Sequence, residues 1–222
     1  TKSQMYSVLN YDKEFVCNND LYVGLYRSVI FTFPNKKLLS YAPSKSTTYD
    51  CFKNICPYLN ENISIMEHID GIMIQLFYDE RINGWEIATK NRVGGEEIYY
   101  YDKDKRTIRQ IFIETMGGMH DDDILNLPFL EYFPHDCTFT FIIDTAYSER
   151  NQMQYLCYLI AVYCVKNDLP NSVRMIPDSC YLKWDCIESI KGLVQIPEKY
   201  TFNSYSDMLE SIEYIHTPNK YV

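Results

Sequence analysis

The strongest constraint on the fold is a pair of β-rich runs, Ile63 to Phe77 and Gly84 to Thr89, joined across the polar stretch Asp79 to Asn83. So short a connection makes an antiparallel hairpin the simplest pairing. The flanking sequence extends the theme. Leu21 to Phe33 alternates and ends in the turn Thr32-Phe33-Pro34-Asn35, after which Lys37 to Tyr41 resumes an extended pattern, and Cys137 to Asp144 reads as a further strand. Helical spacing marks Gln154 to Asn167 and Ser204 to Ile215, the second opened by Ser204 with Asp207 three residues on, close to a capping box. Asp50 to Tyr58 predicts a short helix closed by Pro57. Strands with a few interspersed helices predict an α+β domain built on antiparallel sheet.

Length and charge bound the function. With 222 residues, 46% of them hydrophobic, the chain suits one ordinary domain spanning 1–222. A formal net charge of -9 argues against blanket phosphate contact of the histone type. Isoleucine and asparagine are abundant and alanine scarce beside 21 tyrosines, the bias that AT-rich coding produces in many large DNA viruses and some protists. A cytoplasmic or viral setting is the expectation. The first residue, Thr1, suggests a processed or excised polypeptide.

Eight cysteines are spread along the chain with no Cys-x-x-Cys pair, which speaks against zinc fingers and thioredoxin-type motifs and for reduced, buried thiols. The longest apolar stretch, Leu156 to Val165, is too short to span a bilayer, so no membrane partner is expected. His120 with Asp121, Asp122 and Asp123 reads as a solvated acidic turn, and no metal ligands are assigned there. Lys90, Arg92, Lys103, Lys105, Arg106 and Arg109, interleaved with Tyr99, Tyr100 and Tyr101, form a basic, aromatic interval able to hold single-stranded nucleic acid, although Glu96, Glu97, Asp102 and Asp104 dilute it toward a solvated hairpin.

Taken alone, Glu67-His68-Ile69-Asp70-Gly71-Ile72 is an ordinary hairpin strand. In order with its neighbours it resembles the phage-type RNA ligases of the covalent nucleotidyltransferase superfamily. In that family Glu-Lys-x-Asp-Gly-Ser is followed a hairpin later by Trp-x-x-x-Thr-(Arg/Lys)-Gly-Ser, here matched by Trp85 to Arg92. Arg27 to Phe31 resembles the family's Arg-Gly-x-x-Phe strand, and Lys45 to Asn54 falls on its phenylalanine-rich segment. Thr138-Phe139-Thr140-Phe141 with Ser148-Glu149-Arg150-Asn151, and then Pro197 to Leu209, follow in the family's order. The resemblance implies a nucleotidyltransferase fold of antiparallel sheets with flanking helices. It also implies nucleotide contacts at Glu67, Gly71, Lys90 and Asp144, while the basic, aromatic interval by itself offers nucleic-acid contacts at Lys90, Arg92, Arg106 and Arg109.

The departures concern chemistry. The family's lysine nucleophile is His68, whose imidazole is shorter and stiffer although chemically able to form a phosphoramidate. The serine after Asp-Gly is Ile72, and the glutamate after Phe141 is Ile142, with Asp144 two residues on along the same strand face. The family's fourth and fifth motifs are not found in these 222 residues, so the closing strands are expected to be missing. Three readings follow. The first is a catalytically inactive RNA ligase-like module that needs no cofactor and works with a protein partner or the rest of a longer chain. The second is an active nucleotidyltransferase using ATP and Mg²⁺, with His68 as nucleophile and Asp70 orienting it. The third is RNA or nucleotide recognition without turnover.

Overall fold

The runs on either side of residues 79–83 pair as an antiparallel hairpin in the computed structural model, in register from Gln75 opposite Ala88 to Asp79 opposite Gly84. Its turn is held locally: Arg81 N–H donates to Asp79 Oδ1 at 2.9 Å, and Asn83 takes the left-handed φ of 47° that an asparagine tolerates. The structure describes residues 5–12, 14, 22–119, 124, 127–147, 153–167 and 172–214. In chain order the elements are β1 (Tyr6–Leu9), β2 (Val29–Thr32), β3 (Leu38–Tyr41), α1 (Tyr49–Ile55), β4 (Ile65–Met66), β5 (Ile72–Asp79) and β6 (Gly84–Ala88). There follow α2 (Ile108–Thr115), β7 (Cys137–Tyr147), β8 (Met153–Lys166), β9 (Ser172–Ile176), α3 (Asp178–Tyr181), α4 (Asp185–Ser189), β10 (Val194–Gln195), β11 (Lys199–Tyr200) and α5 (Tyr205–Tyr214).

The protein is a mixed α+β fold dominated by antiparallel pairing. Its main sheet runs β10-β8-β7-β5-β6, with β9 also on β8, and only β10 joins in parallel. Period-2 alternation gives this sheet two faces. On one, Ile74, Leu76, Phe139, Phe141 and Leu159 meet Ile111 and Phe112 of α2, a 3₁₀ turn at Pro128–Tyr132 and Ile187 of α4 in the principal core. On the other lies the three-stranded sheet β1-β2-β3, which buries Tyr6 and Ile30 against Phe77, and Val29 and Leu38 against Val165. Between the two sheets Ser28, Ser40, Gln75 and Thr138 form a fully buried hydrogen-bonded chain.

One expectation is overturned. Gln154 to Asn167 is no helix but β8, a strand of 14 residues paired with β7 along its length. The run is apolar at nearly every position and therefore satisfies a 3.6 and a 2 period alike, while its tyrosines and β-branched residues suit a strand buried on both faces. A bulge at Ile160 lets the alternation change phase, since Leu159 faces Phe141 and Ala161 faces Thr140. The run Ile63 to Phe77 is likewise broken, with strand only at 65–66 and from Ile72 on. Of Leu21 to Phe33, among the described residues from Tyr22 on, only Val29–Thr32 is strand, and it forms the expected hairpin with β3 across the turn at Pro34. Helix α5 begins as anticipated, with Ser204 Oγ accepting from Asp207 N–H, but the Asp207 carboxylate bonds Asn203 N–H and not Ser204. The acidic stretch His120 to Asp123 and the Ser148 to Asn151 segment lie outside the described residues.

Candidate functional site

Residues 67–71 link β4 to β5, and the sequence forces the path at Gly71. Its φ is +156°, and a Cβ there would sit 2.8 Å from the carbonyl carbon of Ile143 on β7. Only glycine lets the chain cross β7 so closely. Asp70 Oδ1 accepts from Gly71 N–H at 2.9 Å, which turns the carboxylate back on its own backbone. Glu67 is half-buried and laced to the strand that precedes α5: its N–H donates to Glu198 O at 2.8 Å, and Glu198 N–H reaches Glu67 Oε2 at 3.5 Å. His68 is exposed, and no side chain among the described residues hydrogen-bonds its ring.

Strand register gathers several expected residues at one end of the main sheet. Ile72 faces Ile143 and Met73 faces Ile142, so Gly71 leads in beside Asp144, itself opposite Leu156 and half-buried. The same register puts Ile72 on the principal-core side, packed against that core, and Ile142 on the opposite face beside Met73. Ile72 and Ile142 are thus placed on opposite faces of the sheet, and Ile72 is taken up by core packing. Lys90 follows β6 at this end, in a turn closed by Thr89, whose N–H donates to Arg92 O and whose hydroxyl donates to Glu97 Oε1 at 2.7 Å. Lys90 Nζ sits 5.3 Å from the centre of the Tyr11 ring, and Lys45 Nζ lies 5.9 Å from the same centre. This pair of ammonium groups on one aromatic ring brings together residues that are 45 apart in sequence, and spacing alone did not signal Tyr11.

Arg106 and Arg109 serve the interior. Arg106 holds Asp102 through Nε at 3.1 Å and Nη2 at 2.8 Å, reaches Glu114 Oε2 at 2.5 Å and lies over the Tyr155 ring. Hydrogen bonding from Arg106 holds the Asp102 carboxyl down at about 2, against the opposing effect of burial. Arg109 pairs with the buried Glu86 at 2.5 Å and donates to Gly94 O. Of the basic interval, Arg92, Lys103 and Lys105 are the exposed members, alongside Tyr100 at 89% and Tyr101 at 68% exposure. Arg106 and Arg109 are instead parts of the frame that presents this tip: Ile98 bridges Thr107, and Tyr99 N–H donates to Arg106 O.

The site end therefore offers an exposed imidazole, an exposed carboxylate at Asp70, a half-buried Asp144 and a lysine pair on Tyr11. An imidazole nucleophile needs an orienting or deprotonating partner at hydrogen-bond distance to attack phosphorus in line. Among the described residues, no cluster of three or more His, Cys, Asp or Glu side chains is arranged to hold a metal ion, and no helix is long and apolar enough to cross a membrane. Neither a scan against protein-family models nor a search of curated proteins gives a match to this chain.

Proposed function

We propose that the chain is a non-catalytic domain of RNA ligase-like design, used as a binding or structural module within a larger protein or complex. The observation that carries this reading is His68. It occupies the place of the family's nucleophile on an exposed link with no orienting partner among the described residues, while the Asp-Gly turn beside it keeps its close approach to β7. Retention of backbone design with loss of side-chain chemistry is what a module kept for binding leaves behind. Incubation with α-labelled ATP and Mg²⁺, followed by alkaline denaturing electrophoresis, is expected to leave the protein unlabelled. Label that stays on the chain and disappears in His68→Ala would replace this reading with an active nucleotidyltransferase.

A second reading has its own support in the hairpin tip. The exposed rings of Tyr100 and Tyr101 meet edge to face at 5.4 Å, with the exposed Lys103 and Lys105 following. Rings with flanking cations bind single-stranded nucleic acid by stacking and phosphate contact, in a salt-dependent way. Tyr100→Ala with Tyr101→Ala is expected to weaken binding of a short fluorescent RNA; binding that is undetectable in the parent chain at low salt removes this reading.

A further inference from the structure

Cys137 begins β7 and Cys164 lies near the end of β8, where the register sets them directly opposite each other. Val165 N–H donates to Asp136 O at 2.8 Å, the bond that flanks a non-hydrogen-bonded pair. In such pairs the Cα atoms lie about 4.5 Å apart and the side chains are at their closest, inside the range that disulfides span. The two sulfurs are further tied to one carboxylate: Cys137 Sγ–H points to Asp136 Oδ1 at 3.7 Å, and Cys164 Sγ–H points to Asp136 Oδ2 at 3.5 Å. Both thiols line a cleft of about 550 Å³ together with Ile176, Trp184 and a third thiol, Cys186. Among the described residues every cysteine is a free thiol.

We propose that Cys137 and Cys164 are a cross-strand dithiol, a modification site that closes to a disulfide when the protein meets a peroxide or a low-molecular-weight disulfide. The two members are unequal. Cys137 is buried, and burial with the neighbouring Asp136 keeps its proton on. Cys164 is half-exposed and so within reach of an oxidant; burial and then Asp136 raise its pKa too, offset only in part by Lys166 and by Arg174 directly opposite on β9. Cys164 therefore reacts first, as the thiolate is the nucleophile. With hydrogen peroxide, its thiolate takes one oxygen to become a sulfenic acid, the other oxygen leaving as hydroxide that is protonated to water. Cys137 sulfur then attacks the sulfenic sulfur; the S–S bond forms, and the sulfenic hydroxyl leaves with the Cys137 proton as a second molecule of water. Two thiols are oxidised and one peroxide is reduced, with no electron unaccounted for. Asp136 acts as a brake, since its negative charge disfavours both thiolates.

The test is peptide mapping of the full chain after hydrogen peroxide, with remaining thiols alkylated in denaturant. The expected product is one cross-linked peptide pair joining Cys137 to Cys164, two hydrogens lighter and restored by dithiothreitol. Full alkylation of both residues under conditions that oxidise the exposed Cys180, or a link from Cys137 to Cys186 in its place, overturns the proposal. Asp136→Asn is expected to speed closure several-fold at neutral pH, and an unchanged or slower rate overturns the braking role. Phenylarsine oxide, which bridges neighbouring thiols, is expected to bind the native reduced chain one to one at this pair; binding undiminished in Cys164→Ser counts against it.

Discussion

Arg106 grips Asp102 with two parallel donors, Nε on Oδ2 at 3.1 Å and Nη2 on Oδ1 at 2.8 Å, and the Tyr155 hydroxyl completes the carboxylate from β8 at 2.9 Å. A loop, the turn that leads into α2 and the longest strand of the main sheet thus meet on one buried charge, since the Asp102 side chain is 2% exposed. Removing the cation leaves that carboxylate without its partner, and breaking a buried pair in this way costs about 3–5 kcal/mol. Arg106→Met is expected to lose that much in urea denaturation. Arg106→Lys recovers only part, because an ammonium cannot supply the paired fork.

The same pair sets an acid limit. Asp102 titrates at about 2 in the folded chain because Arg106 hydrogen-bonds its charged form, against about 3.9 for an aspartate in an unfolded chain. A folded pKa below the unfolded one means that the stabilisation is complete above the unfolded value and drains away as pH falls through the folded one. The contribution is about 2–3 kcal/mol, lost as pH falls from about 4 to about 2. Asp79 adds in the same direction: burial pushes it up, but its bonds with Arg81 outweigh that. Urea midpoints at pH values bracketing this window should fall steeply for the parent chain and less steeply for Asp102→Asn.

Gly71 and Gly192 separate steric from conformational need. At Gly192 φ is +91° and a Cβ would meet nothing within 4 Å, so Gly192→Ala carries backbone strain alone, about 1 kcal/mol. At Gly71 a Cβ would run into the Ile143 carbonyl, which is fixed in the sheet. Gly71→Ala is expected to cost about 3 kcal/mol or more, because β7 cannot retreat without breaking its pairing with β5. Equal thermal midpoints for the two variants would contradict this ordering.

How much of this was legible in the sequence depends on range. The β5–β6 hairpin, β7 and the start of α5 are written in local patterns, the first by two apolar runs about a polar turn, the last by Ser204 and its apolar spacing. The β8 run was misread because a segment apolar at almost every position carries no periodicity to choose between helix and strand. Helix α2 had a readable start, the reciprocal Thr107–Gln110 capping box, masked by reading the stretch up to Arg109 as a charge run. Gly71's role was half visible in the Asp-Gly pair, but the carbonyl it must pass belongs to a strand 72 residues on. The fates of Arg106 and Arg109 were out of reach, since Glu114, Tyr155 and Glu86 meet them only through tertiary packing.

The buried polar chain between the sheets gives the last test. Gln75 Nε2 donates to Ser28 Oγ at 2.7 Å, and Ser40 Oγ donates to Gln75 Oε1 at 2.7 Å. Ser40 has then used its only proton, so the 2.6 Å contact with Thr138 Oγ1 needs the Thr138 proton, which leaves the 3.3 Å approach of Thr138 to Leu76 O the weaker one. Gln75→Leu strands the Ser28 acceptor and the Ser40 donor together, at about 2–4 kcal/mol. Thr140, opposite Gln75 on β7, behaves in the reverse sense: its hydroxyl is buried without a hydrogen-bond partner among the described residues. Thr140→Val keeps the shape and removes an unsatisfied group, so it is expected to stabilise by up to about 1 kcal/mol. Denaturant midpoints that move the two variants in the same direction would mean that this hydroxyl is paired in solution and the chain extends one residue further.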